Sequence, residues 1–128
     1  MSDLTRWLRL YQQYAGKKCW EVRAQADDPE TGELLIYGPI FSEQIFPDEV
    51  SPKAVNDELA ALGEIKTLHV YINSPGGSAF AGLTINNILR RQQAEVVVHI
   101  DGMAASAASI IAMAGDQIIM PANSLLMI

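Results

Sequence analysis

Two stretches carry residue types at spacings that could do chemistry: Asn73-Ser74-Pro75-Gly76-Gly77-Ser78 and Gly102-Met103-Ala104-Ala105-Ser106-Ala107-Ala108-Ser109. Each lies where an apolar, strand-like run gives way to a helix-forming run, which is where α/β folds gather functional groups. The paired glycines of the first let the backbone turn sharply and leave N–H groups unshielded by side chains. Such groups near a helix start stabilise developing negative charge. The second stretch sets Ser106 among alanines too small to crowd it. A hydroxyl nucleophile beside an anion hole is the equipment of acyl transfer. Each turn also has a plain structural explanation, since Gly-Gly turns are common and small residues let helices pack closely, and the pattern alone leaves both open. Ser109, one turn further on, is expected to pack inward and bond back to the helix backbone.

A serine hydroxyl needs a base to take its proton. The chain has two histidines, His69 and His99, both inside strand-like runs, and His99 is the nearer to Ser106. Both read as strand residues before they read as bases. Asp101 and Asp116 read as caps or turn residues. The residues alone therefore supply a nucleophile and an anion hole without an evident base. Cys19 is the single cysteine and is expected as a half-buried strand residue. With so few Cys and His, no zinc site and no other metal or cofactor site is expected.

The elements that must position these turns follow from periodicity. Residues 3–14 predict an amphipathic helix, with Leu4, Trp7, Leu8, Tyr11 and Tyr14 on one stripe, Ser2 as cap and Gly16 as stop. That stripe suits packing or a partner surface. Lys18 to Ala26 and Glu33 to Tyr37 predict a hairpin around the turn chemistry of Asp27 to Gly32. Residues 38–50 predict a loop. Ser51-Pro52 opens a helix with Val55, Leu59 and Leu62 inward and Gly63 as its close. Strands are then predicted at Thr67–Ile72, Val96–Ile100, Gln117–Met120 and Ser124–Ile128, and helices at Ala79–Gln93 and Ala104–Ala114. This alternation, with the apolar run Val96-Val97-Val98, predicts an α/β fold with a parallel sheet covered on both faces.

Composition limits the function classes. With 128 residues, 49% hydrophobic and 19% charged, the chain predicts one folded domain. Its segments are a helix over 1–16, a hairpin and first helix over 17–64, and a core over 65–128. Net charge is −6, and it is uneven: residues 1–64 hold twelve acids and six bases, residues 65–128 three of each. No basic cluster offers itself to nucleic acid. The uncharged apolar run Met103–Ala114 falls short of the ~20 residues of a membrane helix, and the N-terminus lacks the order of a signal peptide. A cytoplasmic protein with no membrane partner is expected.

Over residues 65–128 the motifs Ile72-Asn73-Ser74-Pro75-Gly76-Gly77, Ala81-Gly82, Gly102-x-Ala104-Ala105-Ser106, Ala114-Gly115, Pro121-x-Asn123-Ser124 and Met127-Ile128 closely resemble the proteolytic subunit of the Clp protease. The segment Gly32 to Ile40 and the Pro121-Ala122-Asn123 turn resemble the Clp-like head maturation proteases of tailed phages and prophages. The resemblance implies stacked β-β-α units of the Clp/crotonase type, with a mainly parallel sheet flanked by helices. It implies a serine endopeptidase with a Ser-His-Asp triad in which Ser106 is the nucleophile and the backbone N–H groups of Gly77 and Ala107 form the oxyanion hole. Loss of one such donor typically costs ~10²–10³ in rate. It also implies that Ser74, Pro75, Gly76, Gly77 and Ser78 line the groove in which an extended peptide pairs as an added strand. Homo-oligomeric rings and a polypeptide substrate follow, which for the phage-type proteases is capsid or scaffold protein.

In the family, Met-Ile is followed at once by the catalytic histidine, and the aspartate comes later, beyond a helical handle. The sequence stops at Ile128. The reading is therefore the N-terminal part of such a peptidase, before the handle and inactive by itself. Three alternatives stay open. Signal peptide peptidases share the Ser-Pro-Gly-Gly loop but use a lysine base, and Ala107-Ala108 stands where a glycine pair belongs in them. Crotonase-type enzymes use a similar anion hole but need no serine at 106. A non-catalytic assembly subunit keeps the fold without the triad.

Overall fold

Strict alternation in Thr67-Leu68-His69-Val70-Tyr71-Ile72-Asn73-Ser74 writes the two faces of a sheet. Leu68, Val70, Ile72 and Ser74 are fully buried, whereas Thr67, His69 and Tyr71 are partly exposed and Asn73 is exposed. The structure, a computed structural model, describes residues 19–40 and 51–128. The helix predicted over residues 3–14 and most of the loop predicted over residues 38–50 lie outside the described residues.

Strands β1 (Trp20–Gln25) and β2 (Asp28–Tyr37) form an antiparallel hairpin closed at Gln25 and Asp28. Helix α1 (Pro52–Ala61) leads to β3 (Thr67–Ser74), then α2 (Ala79–Arg90), β4 (Glu95–Ala105), α3 (Ala107–Ala112), β5 (Gln117–Ile119) and β6 (Leu125–Met127). The sheet order is β1-β2-β3-β4-β5, with β6 pairing β4 beyond β5. Every pairing except β1–β2 is parallel. This is the mixed α/β architecture with a mainly parallel sheet and flanking helices that the sequence predicts.

One face of that sheet holds the core. Leu34 and Ile36 of β2, Leu68, Val70 and Ile72 of β3, and Val96, Val98 and Ile100 of β4 join a single cluster. The same cluster takes Val55 and Leu59 of α1, Ile85, Ile88 and Leu89 of α2, and Ala107, Ala108, Ile111 and Ala112 of α3. The expectation of cover on both faces is corrected for the described residues. Among the described strands only Val96-Val97-Val98 is a run of three buried apolar residues, and Val97 stands outside the core cluster, beside His69 on the opposite face. That face carries Glu33, Tyr37, His69, Tyr71, Asn73, His99 and Asp101, because β2, β3 and β4 alternate apolar with polar residues.

Several boundaries also differ. The predicted turn Asp27–Gly32 narrows to Ala26-Asp27, and Asp28 to Gly32 belong to β2. Asp28 spends its carboxylate locally, accepting from the Glu30 N–H (3.0 Å) and the Thr31 hydroxyl (2.7 Å), which hold its pKa below the ordinary value. Gly32 is there for space, since a Cβ would stand 2.9 Å from Leu62 Cδ1. The helix predicted at Ala104–Ala114 is Ala107–Ala112, because Ala104 and Ala105 continue β4 and pair with Leu126 and Met127. Helix α2 ends at Arg90, three residues before the predicted Gln93. Helix α1 starts as predicted, with the Ser51 hydroxyl accepting from the Ala54 N–H (3.3 Å). Among the described residues no helix is long and apolar enough to cross a membrane.

Ile72 sits fully buried at the centre of the core face. Ile72→Ala is expected to lower the unfolding free energy by about 2–5 kcal/mol, and Ser51→Ala by about 1 kcal/mol, both read by denaturant unfolding.

Candidate active site

Strand β4 ends at Ala105, and the next residue breaks the backbone rule. Ser106 has φ 55° and ψ −121° and is the only non-glycine residue with positive φ among the described residues. Such a conformation costs of order 1–3 kcal/mol and persists only where neighbours impose it. Here they do. The Ser106 N–H donates to the Met127 carbonyl (2.8 Å), and the Ser106 carbonyl accepts from the Ser109 N–H (2.9 Å) and hydroxyl (2.6 Å). Ala104, Ala105, Ala107 and Ala108 are buried around it, whereas Ser106 is exposed. Among the described residues its hydroxyl makes no hydrogen bond. The result is a sharp strand-to-helix turn presenting one serine Oγ.

The glycine loop meets this turn. Ser74 is buried and structural, its hydroxyl donating to the Gly38 carbonyl (2.7 Å) and accepting from the Gly76 N–H (3.1 Å). Gly76 and Gly77 have φ 97° and 151°. A Cβ on Gly76 would stand 2.8 Å from Ser106 Cβ and 3.1 Å from the Ala107 nitrogen. A Cβ on Gly77 would fall onto the Ile40 carbonyl oxygen. Ile40 holds the loop as a short parallel bridge, donating to Gly76 O and accepting from the Ser78 N–H, both at 3.0 Å. Alternation then turns the Gly77 N–H away from Ile40. The Ala107 N–H, first in α3, has no intrahelical acceptor. Ser78 caps α2 through the Ala81 N–H (3.2 Å), and Pro75 is exposed. Thus Gly76, Ser106 and Ala107 lie together with Gly77 adjoining, while Ser74 and Ser78 serve the backbone.

The histidines are elsewhere. His99 lies seven residues before Ser106, about 20 Å along an extended strand. Its Nε2 is 2.8 Å from His69 Nδ1, and Tyr71 stacks on it at a centroid separation of 4.5 Å. His69 and His99 therefore form a cross-strand pair on the open face, not a base for Ser106. Burial, and then the neighbouring His69, push the His99 pKa down, against the upward pull of Asp101 and Glu33. Asp101 accepts from the Tyr37 hydroxyl, whose pKa is pushed up to about 12 by burial and then by that carboxylate. Asp116 accepts from the Val96 N–H (2.8 Å). Cys19 is buried just ahead of β1. Among the described residues no three His, Cys, Asp or Glu side chains converge as metal ligands. Sequence reasoning did not find Ile40, nor the Met127 carbonyl, and neither residue type advertises a main-chain role.

The sequence model described as Clp protease matches residues 25–128. The chain belongs to the Clp protease family. It is 50% identical over 90 residues to the ATP-dependent Clp protease proteolytic subunit of Ligilactobacillus salivarius, a match covering 64% of this chain and 46% of the relative. It is 41% identical over 89 residues to the ATP-dependent Clp protease proteolytic subunit 2 of Treponema denticola, covering 68% and 42%. Among solved structures, ClpP1 from Listeria monocytogenes matches with a TM-score of 0.56 and 31% identity, over 69% of this chain and 48% of that one. The chain thus spans less than half the length of these Clp protease relatives.

The histidine pair makes a pH-dependent prediction. With its folded pKa below the ordinary 6.5, His99 takes a proton more readily in the unfolded chain. Its contribution to stability is present above about pH 6.5 and is lost as pH falls through the folded value. Denaturant unfolding of wild type should show a larger loss between neutral and mildly acidic pH than His99→Gln shows. The same variant should leave the reactivity of Ser106 unchanged.

Proposed function

We propose that this chain carries the nucleophile and oxyanion hole of a serine endopeptidase. Ser106 attacks the scissile carbonyl, and the N–H groups of Gly77 and Ala107 hold the oxyanion that forms. The observation that carries this is the strained Ser106 turn, exposed and pressed against Gly76 with only hydrogen between. A capping or packing serine would have no need of that backbone. The pairing of Ile40 with one edge of the glycine loop leaves its other edge toward Ser106, and an extended substrate pairs there as an added strand. A thioester or enolate chemistry on the same scaffold would need the anion hole but not the serine.

The general base and its carboxylate partner lie, in this reading, in the sequence after Ile128. Strand β6 supports it, because the Met127 carbonyl already bonds the Ser106 N–H, so the residue after Ile128 continues alongside the nucleophile. Without that base the 128-residue chain is inactive or nearly so, with the oxyanion hole alone giving weak residual chemistry. The active protein is a homo-oligomer of ring type acting on polypeptides. The resemblance of the Gly32 to Ile40 segment and of the Pro121-Ala122-Asn123 turn favours the phage and prophage head maturation type, with capsid or scaffold protein as substrate. No metal or other cofactor takes part.

A fluorophosphonate that derivatises activated serines tests the reading. The expected result is slow labelling of the 128-residue chain, much faster labelling of a version extended past residue 128, and none of either carrying Ser106→Ala. Rapid labelling of the 128-residue chain, abolished by Ser106→Ala, would instead show a base within these residues. An extended chain that stays unlabelled would refute the peptidase reading.

A further inference from the structure

We infer that Asn73 is a positioning residue for the Ser106 turn, acting through the main chain of β4; the inference rests on reading Ser106 as the nucleophile. Strands β3 and β4 pair residue for residue from Thr67 and Glu95 to Ile72 and Ile100, and then the register shifts so that Ser74 pairs with Ala104. Two steps along β3 therefore match four along β4. The extra residues make a bulge at Asp101-Gly102-Met103, opposite Asn73 alone. Without it Ser74 would face Gly102, and Ser106 would lie two residues, about 6.6 Å, beyond its present level against the glycine loop. Displacements of ~1 Å at a reacting group already cost about 10²-fold in rate.

A bulge removes ladder bonds and leaves main-chain groups to be satisfied some other way. Asn73 does this with its side chain. Its Oδ1 accepts from the Met103 N–H (3.2 Å), while its main-chain carbonyl accepts from the Gly38 N–H (3.1 Å) on the other side. Gly102 fits this arrangement, since a Cβ there would stand 2.8 Å from Asn73 Oδ1. The other end of the bulge is tied by the Tyr37 hydroxyl on the Asp101 carboxylate. Beyond the bulge Ala104 and Ala105 pair with β6, and Ser106 arrives at Gly76. The chemistry required of residue 73 is one acceptor oxygen at the carboxamide position, which aspartate also supplies and alanine does not.

The test compares Asn73→Ala with Asn73→Asp in two measurements. In the 128-residue chain, amide hydrogen exchange read by NMR should quicken about tenfold at Met103 in Asn73→Ala, the worth of one hydrogen bond. It should stay near wild type at Met103 in Asn73→Asp, and at Val98 in both variants as a control on folding. In the full-length protein, the rate of fluorophosphonate labelling at Ser106 should fall about tenfold or more in Asn73→Ala and recover in Asn73→Asp. A wild-type full-length protein whose Ser106 does not react overturns the peptidase reading and the role of Asn73 with it. A reactive wild type overturns the role of Asn73 alone if Asn73→Ala labels as fast, or if Asn73→Asp labels as slowly as Asn73→Ala.

Discussion

Between Gly76 and Ser106 there is no room for a methyl group. That contact requires β3 and β4 to deliver their C-terminal ends to the same level, one as a glycine loop whose Gly77 N–H turns away from Ile40 and the other as a strained serine. Parallel pairing on a common core face does the coarse alignment, and the bulge in β4 does the rest. The alanines flanking Ser106 follow from the same constraint. At Ala105 or Ala107 a larger side chain, buried as these are, would push α3 off the sheet and the serine away from the glycines.

The two faces of the sheet divide the work. The helical face contributes apolar burial, with fully buried Leu34, Val70, Val98 and Ile111 in one cluster. The open face contributes cross-strand polar bonds, from Arg23 to Glu33 (3.2 Å) on β1 and β2 to the imidazole pair on β3 and β4. Exposed or half-buried bonds of this kind add little stability each. They tie neighbouring strands laterally on the side where no described helix presses on them.

Much of this was legible from residue order. The strand-to-helix turns, the Ser51 cap and the back-bonded hydroxyl of Ser109 all follow from local chemistry that sequence displays. The bulge at Asp101-Gly102-Met103 was not legible, because a register shift is a relation between two strands and leaves no periodic mark on either. Ala104 and Ala105 looked helical for a similar reason: alanine favours helices intrinsically, and only pairing with Leu126 and Met127 draws them into β4. The histidines read as strand residues and are strand residues, and the seven residues from His99 to Ser106 are short along the chain and long along a strand. The open face was missed because Val96-Val97-Val98 is continuous where the other strands alternate.

The bond between the Ser106 amide and the Met127 carbonyl joins residues 21 positions apart, and it closes only after α3, β5 and the turn at Pro121 are in place. During synthesis the chain emerges from its N-terminus, at roughly 5–20 residues per second. The glycine loop and the helices that brace it are thus available before the serine can take up its strained backbone. The wiring of β6 to Ser106 means that this backbone geometry forms only once α3, β5 and β6 have followed β4 into place, so the serine turn is set by chain made after it.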